Sequence, residues 1–177
     1  MSFVLKYEKY LNELKESLNS EIDVNWIRKR DRLIGLFKID ENLYQLDFNR
    51  IGDSWSYKFY FIKTDNNGIT LDVSKTGFNK DRFKVLTTAK KGLVKFLKEE
   101  SPNAVIFSAQ SEEGVDISKR MKIYQDMLVS SAGFPEYNYK IENISGNQVY
   151  ILFKKELDNT DETFNNIREI IENYINS

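Results

Sequence analysis

Pro102-Asn103-Ala104-Val105-Ile106-Phe107-Ser108-Ala109 is the stretch on which the fold turns. Four apolar residues stand in a row between a proline and a serine. A run that short and that continuous is the mark of a strand buried on both faces. Upstream, Val85, Leu86, Ala89, Leu93, Phe96 and Leu97 recur at helical steps, so a helix is expected over about 84–98. It must stop before Pro102, which cannot continue it. Downstream, Ile117, Met121, Tyr124, Leu128 and Ala132 mark the inner face of a second helix, closed at Gly133. Helix, strand, helix is therefore the middle of the chain.

Working outward, the period is two on the N-terminal side. Leu33-Ile34-Gly35-Leu36-Phe37-Lys38-Ile39 runs into Asp40-Glu41-Asn42, and Tyr44, Leu46 and Phe48 alternate up to Gly52-Asp53. Trp55, Tyr57, Phe59 and Phe61 alternate next, then Ile69, Leu71 and Val73 after Asp65-Asn66-Asn67-Gly68. Asn-Gly accepts positive φ and suits a tight hairpin, so residues 24–74 read as an antiparallel meander. Before it, Val4, Tyr7, Leu11, Leu14 and Leu18 form one stripe of a helix over about 3–19. After the central unit come two strands, about 137–144 and 148–155, joined through Ser145-Gly146-Asn147. A final helix over about 161–175 carries Phe164, Ile167, Ile171 and Tyr174. Without repeats or linker-like stretches, residues 1–177 form one α/β (α+β) domain on a mixed sheet. It has an N-terminal helix within 1–20, a core over 24–155 and a C-terminal helix within 160–177.

Composition removes whole classes of chemistry. With no cysteine and no histidine, there is no disulfide, thiolate nucleophile, Ser-His-Asp triad or ordinary transition-metal site. Oxygen ligands could still hold Mg²⁺, and Glu112, Glu113 and Asp116 cluster after the central strand. The same acids are accounted for by the preference of helix N-termini for negative charge. With 26 basic and 27 acidic residues, no global field draws nucleic acid or an anionic membrane. Met1 to Lys6 lack a signal peptide's apolar core, and no apolar run approaches the roughly 20 residues of a membrane span. The expectation is a cytoplasmic protein without a membrane partner.

The element order resembles that of the GNAT acetyltransferase superfamily. In that family a meander leads into a pyrophosphate-binding helix, a central strand, a second helix and a terminal strand pair. Residues 83–134 also resemble a set of uncharacterised bacteriophage proteins. They share a Val-x-Thr helix start (Val85 to Thr87), a Pro-x-x-x-Ile-Phe-Ser-Ala strand (Pro102 to Ala109) and an Arg-x-x-x-Tyr helix (Arg120 to Tyr124). The resemblance implies acetyl-CoA bound at Lys84, Val85, Thr87 and Thr88, with Tyr124 protonating the departing thiolate and Asp72 as the carboxylate base. Two departures argue against that chemistry. GNAT enzymes receive the pyrophosphate on backbone N–H groups of a glycine-rich loop, where no side chain obstructs the anion. Phe78-Asn79-Lys80-Asp81-Arg82-Phe83-Lys84 has no glycine, and the interval from Tyr124 to Gly133 is longer than the enzymes use.

Each candidate also has a plain structural reading. Tyr124 falls at core spacing between Met121 and Leu128, and Asp72 alternates with Leu71 and Val73 as an outward strand residue would. Lys75, Lys80, Arg82, Lys84, Lys90, Lys91, Lys95 and Lys98 suit either a phosphate-binding patch or a solvated helix face. Arg28-Lys29-Arg30-Asp31-Arg32 is a second basic cluster, and Trp55 and Tyr57 have the look of stacking platforms for single-stranded nucleic acid. The balance points to a phage-associated GNAT-like protein that is not an enzyme and needs no cofactor. It would act as a virion component or host-directed factor, in the host cytoplasm or the virion. Its expected partner is another protein, or a second copy, met through a terminal helix. The alternative is a CoA-dependent N-acyltransferase with an atypical cofactor loop.

Overall fold

A computed structural model describes residues 22–65, 68–72, 82–108, 136–157 and 161–176. The N-terminal helix, the second helix of the central unit with Tyr124, and the acidic loop at Glu112 lie outside the described residues.

Five strands open the fold: β1 (Asn25–Lys29), β2 (Arg32–Ile39), β3 (Asn42–Ile51), β4 (Ser54–Asp65) and β5 (Gly68–Asp72). Helix α1 (Arg82–Glu100), strand β6 (Ala104–Ser108), the pair β7 (Tyr137–Ile144) and β8 (Asn147–Lys154), and helix α2 (Asp161–Ile175) follow. The meander is as expected, with one addition. The basic cluster at 28–32 is a hairpin in which Arg30 and Asp31 turn between β1 and β2. The turns use residues that tolerate a left-handed backbone: Asp40 at φ 52°, Gly52 at φ 58°, and Ser145 with Gly146 at 51° and 77°.

The eight strands form one sheet, ordered β1-β2-β3-β4-β6-β8-β7, with β5 added to the far half of β4. All pairings are antiparallel except β4 with β6. This is a mixed α+β architecture. The parallel contact is short: Ser54, Trp55 and Ser56 of β4 face Ala104, Val105 and Ile106. Five residues on from Ser56, β4 pairs with β5 instead, where Phe61 faces Asp72. The long strand β4 is thus shared, one half with β6 and the other with β5.

Strand alternation divides the core in two. Val105 and Phe107 of β6, with Tyr150 and Leu152 of β8, join the meander's aromatic residues under α1. Ala104, Ile106, Val149, Ile151 and Phe153 point the other way, onto Phe164, Ile167 and Ile171 of α2. The two helices therefore cover opposite faces of the sheet. Val105, Ile106 and Phe107 are all buried, which is the expectation raised by their continuous run. The apolar stripe of α2 lies inside the chain's own core, which removes the C-terminal helix's apolar face from the surfaces open to a partner.

Helix α1 ends as its sequence dictates. Ser101 takes a left-handed backbone at φ 44°, its N–H reaches the Leu97 carbonyl at 3.1 Å, and Pro102 prevents a further turn. The helix is anchored by a stack of rings. Phe96 lies 4.1 Å from Phe48, nearly parallel, and Phe48 stacks in turn on Tyr57 at 4.6 Å. Trp55 meets Phe96 edge-on at 5.2 Å.

Candidate functional site

The residues expected to hold a coenzyme occupy the first turns of α1, over the place where β4 leaves β6. Val85 is fully buried, and so is Ala89 one turn on. The Tyr57 hydroxyl donates to the Ala89 carbonyl at 3.0 Å, and Phe107 meets the Tyr57 ring edge-on at 6.1 Å. Tyr150 stacks behind Phe107 at 5.9 Å. Aromatic side chains thus pack between the Ala89 turn of α1 and the sheet. Thr88 is buried and its hydroxyl donates to the Lys84 carbonyl at 2.7 Å, a bond internal to the helix. Lys84 and Thr87 are half-buried.

Of the two catalytic candidates, Tyr124 lies outside the described residues. Asp72 ends β5 opposite Phe61 of β4. The structure therefore brings Lys84, Val85, Thr87 and Thr88 together on one helix and leaves Asp72 on the far arm of the meander. Among the described residues, no three acidic side chains gather as a metal ion would need. No helix of the described residues is long and apolar enough to cross a membrane.

Two of the four cations of the second basic cluster, Arg28 and Arg32, are held in ion pairs. Arg28 pairs with Glu100 at the end of α1, and this contact raises its pKa. Arg32 grips Asp47 with two bonds of 2.8 and 2.7 Å, and those bonds raise its pKa too. Sequence alternation placed Asp47 among outward residues of β3, yet its side chain is only 5% exposed. Gln45, Ser54 and Ser56 on the same face are buried as well. In the paired strands Arg32 faces Asn49, two residues from Asp47, which puts the two side chains on one face as diagonal neighbours. Tyr57 is buried and Trp55 packs on Phe96, so both belong to the core and not to a stacking platform.

The lysines of α1 behave differently. On the side of the helix away from its core contacts is a groove of about 500 Å³, lined, among the described residues, by Thr87, Lys90, Lys91, Val94, Lys95, Lys98 and Glu99. Val94, half-buried against the main core, gives it an apolar floor one heptad from Thr87. Among the described residues its lining holds four lysines and one carboxylate, that of Glu99, which pairs with Lys95. Lysine stems cover apolar surface while their heads stay in water, so such a groove is both greasy and positive.

No protein-family model matches the chain, and a search of curated proteins found no match.

Proposed function

We propose that this chain is a non-catalytic binding protein built on a GNAT-like frame, phage-associated, which uses the lysine-lined face of α1 to hold an acidic macromolecule. The observation that carries this reading is the contrast along one helix. Where the resemblance would place a coenzyme, Val85, Thr88 and Ala89 are buried, and the Tyr57 hydroxyl bonds the Ala89 carbonyl with Phe107 against its ring. Where nothing in the frame requires charge, Lys90, Lys91, Lys95 and Lys98 surround an apolar floor. Order of elements supports the frame: meander, helix, parallel strand, terminal strand pair. A protein partner suits the groove better than nucleic acid, because Glu99 lies within it and, among the described residues, no ring lines it for a base to stack on.

The test is a fluorescence titration with a labelled poly-glutamate peptide at low salt. Saturable binding that falls at least tenfold in Lys90→Glu/Lys98→Glu is expected. Equal binding by both proteins would remove the α1 face from the function.

A second reading is favoured by one feature. Strands β4 and β6 are parallel and part beyond Ser56 and Ile106, and ligands of α/β sheets gather outside the carboxyl ends of parallel strands. A CoA-dependent N-acyltransferase would use that fork, with Lys84, Thr87 and Thr88 above it. It would bind acetyl-CoA at micromolar concentration, which the first reading denies.

A further inference from the structure

We propose that the partner is a second copy of this chain, and that the basic outer face of α1 in one copy docks on the acidic outer face of α2 in the next. The inference rests on the reading that α1 is a binding surface, and it names the occupant. The outward residues of α2 include Glu162, Glu169 and Glu172, all exposed. The cation among them, Arg168, is bonded at 2.8 Å to Glu142 of β7. The helix thus presents acid that its own cation does not neutralise. Helix α1 is basic on its outer face, where Lys90 and Lys98 flank the Lys95–Glu99 pair.

The end of α2 reinforces the match. The first turn of α1 carries no acidic residue, and the last turn of α2 carries no basic one. The end of α2 therefore keeps the negative partial charge of its macrodipole, whereas Asp81 stands directly before α1. An antiparallel docking sets these two ends side by side and places lysines against glutamates along the length. The helices, of 19 and 15 residues, run about 28 and 22 Å, so two full helical faces can meet.

Geometry then fixes the kind of assembly. Because α1 and α2 cover opposite faces of one sheet, a single neighbour cannot engage both. The contact is heterologous, and copies add head to tail. The interface is small and charged, so association should be weak and strongly dependent on salt.

The experiment is sedimentation equilibrium of the full chain from about 10 to about 500 µM, with two charge-reversed variants. Lys90→Glu/Lys98→Glu makes both outer faces acidic, and Glu169→Lys/Glu172→Lys makes both basic. The wild type should gain mass with concentration in 20 mM salt and lose that tendency by at least tenfold in 1 M salt, where the Debye length is about 3 Å. Each variant alone should stay monomeric, and an equal mixture should associate again. A wild type that remains monomeric throughout overturns the proposal. So does a mixture that fails to recover, or variants that associate alone. Circular dichroism confirms folding, and Lys→Gln and Glu→Gln replacements at the same positions serve where a reversal unfolds the chain. In the poly-glutamate titration, binding by a monomeric wild type would refute self-association while leaving the α1 surface intact.

Discussion

Replacing Phe96 by alanine should be the most damaging single truncation on α1, because this ring docks the helix onto the meander. Phe96 is 1% exposed, lies 4.1 Å from Phe48 and receives the edge of Trp55. Truncating a buried phenylalanine costs about 3–5 kcal/mol through lost transfer energy and the cavity left behind. The stack with Phe48 places this site in the upper half of that range, near about 4 kcal/mol. For a domain of this size each kcal/mol moves Tm by about 2–4 °C, so a fall of about 8–16 °C is expected. Total stabilities run about 5–15 kcal/mol, which leaves the variant folded at low temperature. Urea unfolding followed by the emission of Trp26 and Trp55 reads the loss directly, as a midpoint lower by about 2 M for a slope near 2 kcal/mol per molar. Phe96→Leu keeps most of the volume and should cost about 1.5 kcal/mol or less. A loss under about 1 kcal/mol in the alanine variant, or equal losses in both, would refute the claim that this ring seats α1. A seated α1 is what presents the lysine face, so Phe96→Ala should also weaken binding of the acidic peptide.

Two further outcomes follow from buried polar contacts. Arg32→Ala leaves the Asp47 carboxylate buried without its bidentate partner, and since Arg32 is itself 37% exposed the cost should be about 1–3 kcal/mol. Adding Asp47→Asn to it should recover part of that loss in a double-mutant cycle; strict additivity would show the pair to be uncoupled. Tyr137, whose hydroxyl donates to the Pro102 carbonyl at 2.8 Å, has its pKa pushed up to about 12, chiefly by burial. The folded protein then holds this proton more tightly than the unfolded chain, so stability falls as pH rises from about 10 to about 12. Tyr137→Phe should flatten the decline over that window in alkaline melts; an unchanged slope would assign it to other groups.

The skeleton was legible in the sequence because its signals are local. Alternation in Tyr44-Leu46-Phe48 and Trp55-Tyr57-Phe59 gives strands, the four-residue run at Ala104 gives a strand covered on both sides, and Pro102 ends α1. The stripe Phe164, Ile167 and Ile171 fixes the helix, but periodicity alone does not say what the stripe covers. The structure answers with β6 and β8. The hairpin of β1 and β2 went unread because Arg28 to Arg32 looks like a surface cluster. Its organising contacts, Arg28 with Glu100 and Arg32 with Asp47, span 72 and 15 residues. The candidate site was legible only as residue types. That Val85 and Thr88 face inward while Lys90 and Lys98 face out follows from helical phase. The bond from the Tyr57 hydroxyl to the Ala89 carbonyl, and the edge of Phe107 on Tyr57, are tertiary facts.

The measurement that bears most directly on a non-catalytic reading is a calorimetric titration of the full chain with acetyl-CoA. The account predicts no binding tighter than about 1 mM, roughly 4 kcal/mol of standard free energy. The Ala89 turn of α1 is seated on Tyr57, and the stretch leading into the helix contains no glycine from Phe78 to Lys84. Micromolar affinity would contradict the account and favour the acyltransferase reading in its place.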